Sequence, residues 1–262
     1  MELYIPGGIY YNMALDASNL LRRATIRTVI IQTIIKEMRD LNMSDMIRTQ
    51  EEITISGNPR HPEGVDGSKM LLRMNESHTP VTGWALGFWT VNETDTVLDI
   101  GCGGGAALKR IATQVTTGHL TGVDYSPVSV ATARETNSDA INTHKMDILE
   151  ASVEQLPFAD DTFDKIITVE SFYFWPSPQK NLKEVLRVLK NSGTFLLVAD
   201  VYQKEGLSDK TLENIRNFHL FNPTPEEFRT LFEQAGFSDI QIHLKDGKDW
   251  ICVEGHKASG SR

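Results

Sequence analysis

From residue 96 onward the sequence alternates short apolar, β-prone runs with longer stretches of helical periodicity. Residues 96–100, 120–124, 163–169 and 194–199 are apolar runs with sharp glycine or polar ends, the pattern of strands buried on both faces. A further short strand is expected near residues 141–146. Helices fill the intervals. One covers residues 106–112, and another opens at Ser126 with Pro127 in its first turn. A third starts at Ser177-Pro178, carries Leu182, Val185, Leu186 and Leu189 at i, i+3, i+4, i+7 spacing, and stops at Asn191-Ser192-Gly193. Thr224-Pro225-Glu226-Glu227 is a capping box, and its helix runs to Gly236. Residues 239–244 and 250–254 flank Asp246-Gly247, a hairpin signal. The pattern predicts an α/β fold: a doubly wound, seven-stranded, mostly parallel sheet that ends in an antiparallel hairpin. Residues 200–222 do not fit the alternation and are expected to be an insertion near the substrate.

Upstream of this core, residues 18–42 read as a helix. Ile30, Ile31, Ile34, Ile35, Met38 and Leu41 fall in an arc of about 140° at 3.6 residues per turn. A face that wide requires burial, against the rest of the chain or against a partner subunit. Residues 43–67 are polar and rich in breakers and read as a linker or long functional loop. Residues 68–89 read as helical, with Ser68 as a cap, Met70, Leu71 and Met74 on the apolar side, and Pro80 as an interruption. The first residues, with Tyr4, Tyr10 and Tyr11 around Pro6-Gly7-Gly8, read as a surface tail or a flap over a pocket.

The run Gly101-Cys102-Gly103-Gly104-Gly105 stands between the strand at 96–100 and the helix at 106–112. Glycine is required where the backbone takes positive φ or where a ligand approaches the main chain. A helix N-terminus behind such a turn offers free N–H groups to an electron-rich ligand. The stretch therefore reads as the nucleotide-binding turn of a doubly wound domain. Gly101, Gly103 and Ala106 also satisfy the G-x-G-x-x-A dinucleotide pattern, which keeps a dinucleotide cofactor open. Two features point elsewhere. Asp99 lies two residues before the first glycine, where a carboxylate can face a cationic ligand. Four glycines in five positions are also more than a dinucleotide loop requires. Asp124, at the end of the second strand, can accept both hydroxyls of a ribose, which supports an adenosine ligand without choosing between cofactors.

A chain of 262 residues fits one large α/β domain, or one such domain with a small accessory region. The net charge of −9 argues against non-specific binding to nucleic acid. Two cysteines are too few for a disulfide framework or a cysteine-based metal site, and no metal centre is predicted. No apolar stretch reaches the length of about 18 residues that a membrane span needs. The start carries Glu2 and no basic segment before an apolar run, so no secretory signal is expected and a cytoplasmic location is the default.

The pattern Asp99-x-Gly101-x-Gly103 resembles the first motif of class I S-adenosylmethionine-dependent methyltransferases. Residues 151–158, ending in Leu156-Pro157-Phe158, with Asp161-Thr162-Phe163-Asp164 after them, resemble the segment that holds the adenine in many small-molecule members. Residues 182–195 resemble the family's later motif, with Ser192-Gly193 where Pro-Gly is usual. The likeness covers about residues 95–200, with weaker support to 257, and is nearest in kind to the ubiquinone/menaquinone-biosynthesis methyltransferases. It implies a Rossmann-like methyltransferase domain over residues 81–257; residues 258–262, Ala-Ser-Gly-Ser-Arg, read as a loose tail by their composition. It implies S-adenosyl-L-methionine as cofactor, held by Asp99, Gly101, Cys102, Gly103, Asp124, Tyr125, Ser126, Ser152, Val153 and Glu170. Ser152 stands where the family commonly has an acid that binds the adenine amino group, and the Val153 N–H can still bind the ring.

The implied reaction is in-line methyl transfer to a small-molecule acceptor at O, N or C. Positioning and removal of water supply much of the acceleration in such a displacement, and a base is needed only if the acceptor has a proton to lose. Glu170, Tyr173, His78 and His219 are the candidate catalytic groups, and the run from Phe172 to Trp175 can offer π faces to a methylsulfonium. Glu170-Ser171-Phe172-Tyr173 replaces the Asn/Asp-Pro-Pro-Tyr of amino-methyltransferases that act on nucleobases and glutamine, and the missing cysteine set argues against arsenic methylation. Two other readings stand beside this one: an NAD-dependent oxidoreductase, and a methyltransferase-like binding module without catalysis. Residues 1–80 are expected to form a helical cap over the crevice with His78 and Trp84 on its inner side. A homodimer through the apolar face at 30–41 is the alternative.

Overall fold

The computed structural model describes residues 31–33, 36 and 48–259. The chain divides into two compact units, residues 1–50 and 51–262. In the first, residues 31–33 and 36 are helical. The rest of the expected apolar face at 30–41 and the tyrosine-rich start lie outside the described residues.

The second unit holds one seven-stranded sheet in the order β3-β2-β1-β4-β5-β7-β6. Its strands are β1 (Thr96–Ile100), β2 (His119–Asp124), β3 (Met146–Glu150), β4 (Phe163–Val169), β5 (Leu189–Ala199), β6 (Ser238–Leu244) and β7 (Ile251–His256). β1 to β5 pair in parallel, and β7 runs antiparallel between β5 and β6. This is the predicted fold class.

Residue alternation along the strands divides the core. Leu98, Ile100, Ile166, Phe195 and Leu197 point to one face, with Leu182 and Val185 of α7 (Pro178–Val188) and Phe228 and Phe232 of α9 (Pro225–Ala235). Val97, Ile167, Leu196 and Val198 point to the other, with Leu108 and Ile111 of α4 (Ala106–Ile111) and Val81 and Ala85 of α3 (Thr79–Ala85). Both faces of β1 are thus dry, which is why its sequence reads as a continuous apolar run. The helix starts follow the sequence. In α5 (Pro127–Thr136) the Ser126 hydroxyl accepts the Ser129 N–H, and in α9 the Thr224 and Glu227 side chains close the predicted capping box.

Three boundaries differ from the sequence reading. β3 begins at Met146 and not near 141, because Ser138–Asn142 forms a short helix, α6, and His144 turns the chain at φ 57°. α7 stops at Val188, and β5 already starts at Leu189. The Asn191-Ser192-Gly193 signal marks an irregularity in the β4–β5 register between Phe163 and Lys165, with Ser192 at φ 63°. The third difference lies at 43–67, read as a linker. Two helices stand there, α1 (Gln50–Gly57) and the start of α2 (Gly64–Ser77), and Ser68 lies within α2 instead of capping it. Gly57 ends α1, as a breaker does, and it also has a packing role. A Cβ on it would lie 2.9 Å from the Asp66 carbonyl, so its lack of a side chain lets the two segments touch.

Phe195 is fully buried and stacks against Phe232 at 5.5 Å between ring centroids, with Phe237 at 5.7 Å. Phe195→Ala is expected to cost about 3–5 kcal/mol of unfolding free energy by loss of transfer energy and creation of a cavity. Urea denaturation measures this. A cost below about 1 kcal/mol would place Phe195 outside the main cooperative core.

Candidate active site

A doubly wound sheet opens a crevice where neighbouring strands send their connections to opposite sides. Here that point lies between β1 and β4, and a cavity of about 550 Å³ occupies it. The C-terminal ends of β1, β2, β4 and β5 reach it through Ile100, Asp124, Val169 and Asp200.

The glycine turn forms the floor. Gly101 and Cys102 donate their N–H groups to the Val123 carbonyl at 2.8 and 3.0 Å, which folds the turn back over the end of β2. Gly101, Gly103 and Gly105 have φ of 69°, 51° and 81°. At Gly101 the space is also closed, since a Cβ there would sit 2.0 Å from Ser171 Oγ. Asp124 fixes the other side of the turn. Its Oδ2 accepts the Gly103 N–H at 3.0 Å and its Oδ1 accepts the Ser126 N–H at 2.9 Å.

Asp99 is 1% exposed, lines the cavity, and has a buried Oδ1 with no hydrogen-bond partner. Burial, and then the charge of Asp124, push its carboxyl up to about 8. The protein thus holds an acid in its cavity wall that ionises readily only when a cation or donor arrives. By linkage this is a cost to folding that grows as pH rises from about 4 towards 8, since the folded state keeps the proton that the unfolded chain gives up. Asp124 is also raised by burial, against the pull of its two backbone donors.

The predicted site residues separate clearly. Asp99, Gly101, Cys102, Gly103, Asp124, Tyr125, Ser152, Val153, Glu170, Tyr173 and His78 all line the one cavity. Ser126 does not. It is fully buried below the cavity, caps α5, and donates from Oγ to the Pro62 carbonyl at 2.6 Å. His219 does not either. Its side chain is exposed, and its carbonyl accepts from Arg60 at 3.3 Å. Trp84, expected on the inner side of a cap, packs instead against Phe88 and Trp250 at 5.3 and 6.0 Å. The aromatic run divides as well. Phe172 is core, whereas Tyr173 and Phe174 face the cavity.

Residues 54–82 contribute a whole wall, through Arg60, Pro62, Leu71, Met74, Asn75 and His78 among others. Asn75 Nδ2 donates to the Gly104 carbonyl at 3.0 Å and docks α2 on the glycine turn. The segment at 59–62 spans the opening. Tyr125 Oη donates to the Arg60 carbonyl, and the Arg60 guanidinium lies 5.4 Å from the centre of the Phe174 ring. The 200–222 segment reaches the cavity through Asp200, Asn214, Phe218 and Leu220; residues 209–217 form α8 (Asp209–Asn217). Asp200 was missed in the sequence. The same signal that marks Asp124, an acid directly at the end of a parallel strand, marks it too.

The 151–158 segment keeps its shape through Arg187, which pairs with both Glu184 and Asp160. Arg187 binds Glu184 at 2.7 Å and donates to the Leu156 and Phe158 carbonyls, while Glu184 accepts the Leu156 N–H. Ser152 Oγ accepts the Glu154 N–H at 3.1 Å, so part of its accepting capacity stays inside the loop.

Residues 98–197 match the family described as a methyltransferase domain. This stretch of the chain is therefore a methyltransferase domain. The match spans β1 to β5 and contains the glycine turn, Asp124 and the 151–158 segment. Among similar proteins is 2-methyl-6-phytyl-1,4-hydroquinone methyltransferase 1, chloroplastic, of Oryza sativa subsp. japonica, 31% identical over 61% of this chain and 46% of its own length. The O-methyltransferase rstn1 of Aspergillus nomiae is 30% identical over 56% of this chain and 65% of its own. The chain spans about half the length of the first of these curated relatives. In the fold, an S-adenosylmethionine-dependent methyltransferase from Aquifex aeolicus superposes with a TM-score of 0.60 at 19% identity, over 72% of this chain and 97% of that one.

The methyltransferase domain makes Gly101 a sharp test of the turn. Gly101→Ala is expected to lose about 1–2 kcal/mol from the left-handed backbone alone, and more from the contact with Ser171. Adding Ser171→Gly removes the contact but not the backbone strain, so urea melts of the double variant should recover only part of the loss. Wild-type stability in Gly101→Ala would show that the turn takes another conformation.

Proposed function

We propose that this protein transfers a methyl group from S-adenosyl-L-methionine to a small, partly apolar acceptor. The observation that carries the reading is the unpaired Asp99 carboxyl, buried in the cavity wall beside the glycine turn and Asp124. S-adenosyl-L-methionine supplies an electrophilic methyl group on a cationic sulfur. The residues around the floor fit such a molecule. Asp99 offers a free oxygen to a cationic or donor group. Asp124 keeps lone pairs for ribose hydroxyls beyond its two backbone donors, and residues 151–154, Val153 among them, line the cavity.

The acceptor takes the β4–β5 side. Phe174, Trp175, Phe218 and Leu220 give that part of the cavity apolar and aromatic walls. Tyr173 Oη donates to Glu170 Oε2 at 2.9 Å and fixes that carboxyl. Burial, then the Asp200 charge, push Glu170 well above the carboxylate range, and burial pulls His78 below its ordinary value. His78 therefore stands as a neutral imidazole at neutral pH. The protein's contribution to rate is orientation of two partners in line and exclusion of water by residues 54–82. An aromatic acceptor bearing hydroxyl groups suits these walls, and relatives named for a hydroquinone and for O-methylation lend it support. Among the described residues no helix is long and apolar enough to cross a membrane. A cytoplasmic setting is part of the proposal.

Calorimetry with S-adenosylmethionine and NAD tests the cofactor. The first should bind and the second should not. Binding of a cation beside Asp99 should expel its proton, so at pH 7 the binding enthalpy should vary with the ionisation enthalpy of the buffer by close to one proton. Affinity should rise with pH up to about 8 and level off above it. Asp99→Asn should abolish both effects. Buffer-independent enthalpy would exclude Asp99 as the counter-charge.

Asp124→Ala should weaken cofactor binding by about 1.5–3 kcal/mol, the order for a lost charged acceptor. It should also lower stability, because the Gly103 and Ser126 N–H groups lose their acceptor. An unchanged dissociation constant would show that the ribose is held elsewhere.

A further inference from the structure

Three segments distant in the sequence bring His78, Glu170 and Asp200 together in the cavity wall. His78 sits at the break between α2 and α3, Glu170 directly after β4, and Asp200 directly after β5. Each offers one ligand atom, and these atoms all lie within 4.8 Å of one another. Bonds of about 2.1 Å from a divalent cation to imidazole nitrogen and carboxylate oxygen set ligand atoms roughly 3.4 Å apart in a tetrahedral shell, and up to about 4.2 Å apart across an octahedral one. Small side-chain adjustments would therefore close the three atoms around one ion.

A cluster of this kind is not enough by itself, because acidic groups often gather without a ligand. The second observation is Glu170. Its carboxyl is buried, and Tyr173 satisfies Oε2, yet Oε1 has no hydrogen-bond partner. An orphaned carboxylate oxygen costs free energy unless something polar meets it. The backbone there is strained as well, with Glu170 at φ 55°, in the left-handed region that an ordinary side chain avoids. Its N–H donates to the Val198 carbonyl at 3.0 Å, so neighbouring β5 holds the residue in place.

We propose that His78, Glu170 and Asp200 form a site for one divalent transition cation of the zinc or manganese class. One imidazole and two carboxylates match the donor preferences of these ions, and Asp200 is exposed, so the site has an entry path. Three protein ligands leave positions open towards the cavity. The sequence predicted no metal centre because that reading rested on cysteine counts, and these ligands come from three separate segments. The cation site stands on its own geometry. Its use, to take a hydroxyl oxygen of the acceptor into an open position, rests on the reaction proposed above.

The test uses the full chain without a polyhistidine tag, stripped with a chelator. Zn²⁺ is titrated by calorimetry, and Mn²⁺ by the loss of its free electron-paramagnetic-resonance signal. One equivalent should bind with a dissociation constant in the micromolar range or below. Glu170→Gln, Asp200→Asn and His78→Ala should each weaken it by about tenfold or more. Asp200 is exposed, so Asp200→Asn retains the fold even if a variant at Glu170 does not. Millimolar affinity, or equal affinity in wild type and Asp200→Asn, would overturn the site. Cofactor calorimetry on Asp200→Asn separates the two proposals, since Asp99 and Asp124 are intact there.

Discussion

The arrangement of β1 and β4 is the constraint on which the rest depends. They are neighbours in the sheet, yet the chain leaves β1 towards β2 on one side and enters β4 from β3 across the other. Right-handed crossovers from the two directions cannot both cover the same strand ends, so a crevice opens between them. Thr168 of β4 donates from Oγ1 to the Ile100 carbonyl at 2.8 Å and locks the two ends that border it. Everything chemical then concentrates at that edge: the glycine turn after β1, Asp124 after β2, Glu170 after β4 and Asp200 after β5.

Concentration has an electrostatic consequence. Asp99, Asp124 and Glu170 are carboxyls withdrawn from water, and burial raises all three. They are stabilised in different ways. Asp124 receives two backbone N–H groups, and Glu170 receives one hydroxyl and keeps one oxygen bare. Asp99 keeps a bare oxygen as well. The number of unmet oxygens thus increases from the residue that holds the turn to the residues that face the space inside. Cys102 lies among them, and burial and the two aspartates push its thiol well up, so it is an unreactive wall element. Such a site is costly to the folded chain and becomes favourable when a cation or a set of donors enters it.

The parts legible in the sequence are those set by local chemistry. Strands buried on both faces show as apolar runs, caps show as Ser126 and Thr224, and the turn shows as glycines. From these, the fold class and the floor of the cavity follow. What stayed hidden depends on contacts between distant segments. Gly57 reads as a breaker, which it is at the end of α1, but its second role, admitting the backbone of Asp66, is invisible without the partner. The family resemblance put Ser126 among the cofactor contacts, but its hydroxyl is spent on its own helix, as the cap reading expects, and on Pro62. Trp84 and His219 lie close in sequence to cavity residues and still face away, since position along a helix or loop decides direction and proximity does not. Asp200 obeys the same strand-end rule as Asp124.

Residues 54–82 explain how one crevice can serve two molecules. The glycine turn and Asp124 define the β1–β2 side, and the aromatic walls with Asp200 define the β4–β5 side. The sheet joins the two sides at their base, where β1 pairs with β4 and Ser171 lies against Gly101. The 59–62 segment joins them again above it: it is tied to β2's end through Tyr125 and Ser126, and to the far side through Arg60 over Phe174 and on the His219 carbonyl. α2 adds a second tie through Asn75 on Gly104, and it carries the chain to His78, beside Glu170 and Asp200. A strap anchored on both halves fixes the distance between whatever the two halves hold. In a displacement that requires donor, moving group and acceptor in line, that distance is the quantity the protein must control. The segment before the core strands therefore belongs to the site as fully as the glycine turn does.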